Sequence, residues 1–241
     1  MSNPSGAPDS DRLTASLTIQ RVTSSLIDQV MTKLRAALVE GVFRPGERMV
    51  ERDVCERLDV SRPLLREALR QLEAEGLVEL VPHRGPVVRR LTAEEATELY
   101  DLMAVVEGEC ARYCARRASA EDLALLRTRT LALVEALQAR ETARIVQAKK
   151  LYYDALLTAC HSKPIAAYLR QISARLSQFW SSSVMVPGRV EEGSAELISI
   201  LEAIEQRDED AASQAAQIFI RHARRQQDLR AAAEESTRDA V

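Results

Sequence analysis

The sequence predicts a mostly α-helical chain, with an N-terminal winged helix-turn-helix followed by a C-terminal antiparallel six-helix bundle. Three observations carry this. The 241 residues are 46% hydrophobic and 4% aromatic, with eight Gly and eight Pro, so long Ala/Leu/Glu/Arg stretches that favour helix dominate. Apolar residues recur at helical spacing over most of the chain. A strand–turn–strand pattern stands at Leu77–Val81, a Pro-His-Arg-Gly-Pro turn (Pro82 to Pro86) and Val87–Leu91.

Taken in order, residues 1–20 are small and polar and read as a disordered tail. Residues 21–91 read as the winged unit. Ser24 to Glu40 carries Leu26, Ile27, Val30, Leu34, Ala37 and Leu38 on one stripe, and Gly41 ends that helix. A turn follows at Phe43–Glu47, and Arg48–Val50 is compatible with a short strand. Glu51 to Leu58 is a short helix broken by Asp59-Val60-Ser61. A third helix runs from Arg62 or Pro63 to Glu75, with Leu65, Ala68, Leu69 and Leu72 inward and Gly76 as its C-terminal stop. The hairpin completes the winged pattern.

Thr92-Ala-Glu-Glu95 is a capping box that opens the second unit, residues 92–235. Six helices are expected there, at 93–117, 120–139, 141–161, 164–186, 190–207 and 209–235. Each has an apolar stripe and the connections are short, the pattern of an antiparallel bundle. Residues 236–241 read as a second disordered tail.

Composition excludes several classes. No apolar run reaches the ~18 to 20 residues of a membrane helix, and Met1–Leu17 lacks a basic segment followed by an apolar one, so a soluble, cytoplasmic protein is expected. The four cysteines show no C-x-x-C or zinc-finger spacing. Cys110 and Cys114 lie one helical turn apart, and buried free thiols are the expectation, with a disulfide or metal pair as the alternative. No nucleophile motif, H-E-x-x-H or Gly-rich phosphate loop occurs, so no enzyme is expected. Net charge is −3, and residues 1–91 carry 14 Lys+Arg against 13 Asp+Glu. Any nucleic-acid reading must therefore come from where the arginines sit.

They sit at helix starts and on the wing. Arg62 and Arg66 are four apart and share a face at the start of the third helix, the end that normally enters the major groove. Ser61 precedes them, where a hydroxyl and backbone N–H groups can bind phosphate. Arg52 opens the preceding helix. His83, Arg84 and Gly85 form the wing tip, where Gly permits close approach and Arg suits a narrow minor groove. The rival reading pairs these arginines with Glu56, Glu67 and Glu73 on a solvated face.

The stretch from Glu51 to Val78, with Val60-Ser61-Arg62 and Arg66-Glu67-Ala68-Leu69-Arg70, resembles the winged helix of GntR-type bacterial transcription regulators. That resemblance implies DNA contacts at Arg52, Ser61, Arg62, Arg66, His83, Arg84 and Gly85. Pro63 stands where the family often has Thr, so one hydroxyl is missing. Tyr100 to Arg112, Pro164 and Glu196 to Asp208 resemble the helical ligand-binding domain called FCD of the FadR-like branch, and six helices are more similar to its VanR-type subgroup.

That domain often holds a divalent metal through one Asp and three His. The matching positions here are Lys149, Tyr153, Leu197 and His222, so no metal and no cofactor is expected. Lys149, with Tyr153 and His222, is instead expected to take the carboxylate of a small organic acid, against the rival that Lys149 snorkels to solvent. Arg175 and Trp180 are further effector-binding candidates, as are Glu107, Arg112 and Gln178. The resemblance implies a homodimeric repressor that binds a short inverted-repeat operator in double-stranded DNA. A constitutive regulator with a decayed pocket, or a helical enzyme with an accessory DNA-binding unit, are the alternatives.

Overall fold

The structure, a computed structural model, describes residues 26–179 and 189–238. Helices α1 (Leu26–Val39), α2 (Glu51–Leu58) and α3 (Arg62–Ala74) lead into strands β1 (Val78–Val81) and β2 (Gly85–Val88). Helices α4 (Ala93–Arg117), α5 (Ala120–Ala139), α6 (Thr142–Ala159), α7 (Lys163–Leu176), α8 (Arg189–Glu205) and α9 (Glu209–Arg238) follow, with a 3₁₀ turn at Ser177–Phe179. The chain is thus mostly α, a winged helix-turn-helix joined to a helical bundle. No described helix is long and apolar enough to cross a membrane.

Local chemistry sets the element ends. α1 and α3 both stop at a left-handed glycine, Gly41 (φ 74°) and Gly76 (φ 73°). At the end of α3, the Leu77 N–H donates to the Leu72 carbonyl and the Gly76 N–H to that of Glu73. With Leu72 and Leu77 both buried, this is a Schellman closure with its hydrophobic contact. Thr92 and Glu95 form the expected capping box of α4, and Ser119 and Asp122 a second one on α5.

The strands pair antiparallel from Val78↔Val88 to Val81↔Gly85. The connection is therefore shorter than the sequence suggests. Gly85 and Pro86 already belong to β2, which ends at Val88, with the Arg89 N–H still donating to the Leu77 carbonyl at 3.0 Å. The Arg48 segment contributes a single bridge, to Val87. α7 ends at Leu176, because the side chains of Ser177 and Gln178 donate to the Ala174 and Arg175 carbonyls and end the helix in a tighter turn. The rest of the expected helix, 180–186, lies outside the described residues, as does the N-terminal tail. α9 runs to Arg238, beyond the expected end at 235.

Two cores form. One joins α1–α3 and the hairpin around Leu34, Leu65, Leu69 and Leu72, and includes Ala174 of α7. The other fills the bundle around Met103, Leu126, Leu156, Leu169, Leu197 and Ile204, and includes Leu91. The exchange of Ala174 and Leu91 ties the units together, and the Leu91 N–H donates to Gln178 Oε1 at 3.3 Å. α4 packs most extensively along α9.

Candidate functional site

The first turn of α3 is an exposed platform. Ser61 is its N-cap, with extended backbone (φ −72°, ψ 150°) and no side-chain capping bond. Ser61, Arg62, Pro63 and Arg66 are all exposed. Arg66 is steadied by Glu51 of α2 (Nε–Oε2 2.9 Å), and Arg52 lies 3.2 Å from Asp53 and 3.9 Å from Glu56. Solvent-exposed pairs of this kind contribute about 0–1 kcal/mol, so a phosphate or a guanine edge can displace the carboxylate. The wing tip follows α3 in the chain, between β1 and β2. His83 (φ 62°) and Gly85 (φ 83°) are left-handed, and the Arg84 N–H closes the turn onto the Val81 carbonyl at 3.1 Å. A Cβ added at Gly85 would meet nothing within 4 Å, so the residue is set by its backbone angle and leaves the tip unobstructed.

The bundle holds a cavity of about 100 Å³ between α4, α5, α6, α8 and α9. That exceeds the roughly 10–15 Å³ that one water needs. Its walls are largely apolar, including Met103, Leu133, Ile145, Leu197, Phe219 and Ile220. Lys149 and Tyr153 line it together, with the Lys149 ammonium 6.0 Å from the Tyr153 ring centroid. The Tyr153 hydroxyl donates to Glu107 Oε2 at 2.7 Å. Glu107 is fully buried, and burial pushes its carboxyl up to about 7 although the Tyr153 bond and the Lys149 charge pull it down.

Other expected residues fall elsewhere. His222 is exposed, bonds Glu196 through Nδ1 and is not among the cavity's lining residues. Arg112 pairs with Asp210 and Glu109. Trp180 lies outside the described residues. Arg175 and Gln178 line a second cavity of about 240 Å³ at the junction of the two units, with Arg44, Gly76 and Arg89. There Arg175 Nε is buried with no hydrogen-bond partner among the described residues, and it would lie 3.2 Å from a Cβ at Gly76.

Sequence reasoning missed Tyr152, which lines the bundle cavity and whose hydroxyl is buried with no hydrogen-bond partner among the described residues. It also missed Thr142 and Val146. These share a face with Lys149 and Tyr153 at helical spacing, and that stripe was the available signal.

The metal set of the resembling domain does not fit. Lys149 brings an ammonium, Leu197 a hydrocarbon, and the imidazole of His222 is engaged by Glu196. Among the described residues no three His, Cys, Asp or Glu side chains gather to hold an ion. Cys110, Cys114 and Cys160 are buried free thiols, and Cys114 and Cys160 point at the backbone carbonyls of Leu156 and Leu157.

An exposed arginine-bearing helix start followed by a β-wing, joined to a bundle with a cavity, fits a DNA-binding regulator with a ligand-binding unit. The model of the bacterial regulatory proteins of the gntR family matches residues 26–88, and that of the FCD domain matches residues 98–222. The chain belongs to the GntR family of regulators and carries an FCD domain. It is 27% identical to the galactonate operon transcriptional repressor of Escherichia coli over 83% of this chain and 95% of that one. It is 31% identical to an HTH-type transcriptional regulator of Agrobacterium vitis from the TAR-I ttuE-ttuC' intergenic region, over 53% of this chain and 75% of that protein. Among solved structures, it is similar to a transcriptional regulator GntR from Rhodococcus sp. RHA1 (TM-score 0.68, 27% identity, 85% of this chain and 98% of that one). The E. coli protein McbR/YncC, at 19% identity and TM-score 0.72 over 83% of this chain and 95% of that one, shares the fold.

Proposed function

We propose that the protein is a homodimeric, cytoplasmic repressor whose two winged units read a short inverted repeat and whose bundle cavity binds a small organic acid. The observation that carries the DNA reading is the joint exposure of Ser61, Arg62 and Arg66 on the first turn of α3, with His83 and Arg84 of the wing that follows it also exposed. In this reading Arg62 and Arg66 meet base edges, Ser61 and Arg52 meet phosphates, and Arg84 enters the minor groove. The similarity to the galactonate operon repressor supports the sign of regulation.

One winged unit offers too few contacts for the ~10⁻⁸ M or tighter affinity typical of specific regulators, which favours a two-fold dimer on a two-fold site. Leu102 and Val105, half-exposed apolar residues one turn apart on α4, supply a surface for it. Acid in the cavity acts on DNA only through a difference in affinity between two arrangements of the winged units. The packing of Arg175 against Gly76, the glycine that closes α3, is the contact placed to transmit it.

Titration of labelled operator DNA with and without acid tests this. The reading expects acid to shift DNA affinity in the wild type and not in Lys149→Ala. An unchanged response in Lys149→Ala would remove Lys149 from the effector site.

A further inference from the structure

The cavity of about 240 Å³ at the junction of the two units is lined by arginines from three places in the chain: Arg44 from the turn after α1, Arg89 from just beyond β2, and Arg175 from α7. Among the described lining residues Glu40 is the one carboxylate, and it is exposed. Residues 180–188, which continue the chain beyond Phe179, contain no Asp or Glu. Cations brought to one space by separate elements repel each other unless an anion joins them.

The carboxylates close to this space are committed elsewhere. Glu75, one residue before Gly76, holds Arg35 through both oxygens, at 2.7 and 3.0 Å. Glu95 bonds Arg89 through Oε1 and accepts from the Thr92 N–H through Oε2. Glu47 accepts from the Arg44 N–H at 2.8 Å. At Arg175 the balance is different. Its Nε is buried with no hydrogen-bond partner among the described residues. Burial and then the Arg89 charge hold this guanidinium below its ordinary pKa, and the carboxylate that opposes them, Glu95, is the one already bonded to Arg89. Gly76 makes room for the group: a Cβ there would stand 3.5 Å from the guanidinium carbon.

The shape of the site narrows the anion. A carboxylate presents two oxygens in one plane and suits a single guanidinium fork. A phosphate monoester presents three terminal oxygens, which forks from different elements can share. The volume is well over ten times the roughly 10–15 Å³ that one water needs. Leu38, Phe43, Leu77 and Val88 add hydrocarbon to the wall, which a bare ion leaves facing water.

We infer that the junction cavity is a second ligand site, which takes a small phosphate monoester with an apolar body between Arg89 and Arg175 and so ties the bundle to the winged unit. It stands apart from the acid-effector reading of the bundle cavity. Val146 of α6 lines both cavities, so Lys149, one turn further on, is the control that tells them apart.

Phenyl phosphate is the probe, titrated calorimetrically into the full-length protein at fixed ionic strength in chloride. The expected result is one molecule bound per chain, a melting temperature that rises with its concentration, and inorganic phosphate competing at least tenfold more weakly. Arg175→Gln and Arg89→Gln are each expected to raise the phenyl phosphate Kd at least tenfold. Lys149→Ala and the Arg62→Ala, Arg66→Ala double variant are expected to leave it within twofold. No binding by the wild type would overturn the proposal, and that arm needs no variant to fold. An unchanged Kd in Arg175→Gln would overturn it as well. Loss of binding in the Arg62→Ala, Arg66→Ala variant would move the phosphate to the DNA-reading face, and loss in Lys149→Ala would move it to the bundle cavity; either outcome overturns the junction site and leaves the acid reading standing. Inorganic phosphate binding as tightly as phenyl phosphate would overturn the apolar-body preference alone.

Discussion

Arg62 and Arg66 differ in how they are held. Arg66 is braced by Glu51 from α2, whereas Arg62 projects from the first turn of α3, and both stay exposed. Either one replaced by alanine is expected to cost about 1–3 kcal/mol of DNA binding and to relax base preference at particular operator positions. Arg52→Ala is expected to weaken all sequences alike and to lower the salt slope by about one. Titrations on operator variants at several salt concentrations measure both. Glu107 carries a separate prediction. Its carboxyl is raised in the fold to about 7 from an ordinary 4.5. The folded protein therefore holds the proton more tightly than the unfolded chain. Its contribution to stability is complete below about pH 4.5, falls as pH rises through 7, and then levels off, by about 3 kcal/mol at most. Melting curves of Glu107→Gln should lack this step and lie above the wild type at about pH 8. At this scale the sequence was informative where spacing decides: Arg62 with Arg66 and Lys149 with Tyr153 each stand four apart and do share a face. It was silent on Tyr152, which reads as an ordinary core residue, and on the Glu196 partner that turns His222 away. Both depend on which helix arrives from elsewhere in the chain.

Among the elements, the closure of α3 is the most demanding. Gly76 combines a left-handed backbone with the Arg175 guanidinium 3.2 Å from where a Cβ would stand. Gly76→Ala is expected to destabilise the fold by about 1 kcal/mol or more, read as a lowered Tm. Arg175→Ala should leave the backbone part of that penalty and remove the steric part, so the double variant should lose less than the sum of the two. The element ends that the sequence marked chemically, Gly41, Gly76 and the Thr92–Glu95 capping box, are the ones found. The end of α7 was unmarked. Its apolar stripe runs on toward Phe179, and it is the side chains of Ser177 and Gln178, bonding back to the helix, that stop it at Leu176.

For the whole molecule, Arg175 is the residue whose placement sequence could least supply. On α7 alone it reads as a bundle residue, and only the docking of the two units puts it against Gly76, the glycine that closes α3. If that contact carries the signal, Arg175→Ala should bind acid normally yet lose most of the acid's effect on DNA affinity, an effect on the usual scale of 5–150-fold. Parallel acid and DNA titrations separate the two quantities. Leu102→Glu with Val105→Glu should give a monomer by sedimentation and weaken operator binding, with the bundle still folded.

The central claim is that the start of α3 and the wing read DNA sequence. Selection from a randomised duplex pool tests it most directly, followed by titration of the recovered site with wild type and with the Arg62→Ala, Arg66→Ala double variant. The account predicts an enriched inverted repeat and a loss of at least tenfold in affinity for that site in the double variant, with the same melting temperature as the wild type. A pool without enrichment, or a double variant that binds the recovered site as tightly as the wild type, would contradict it.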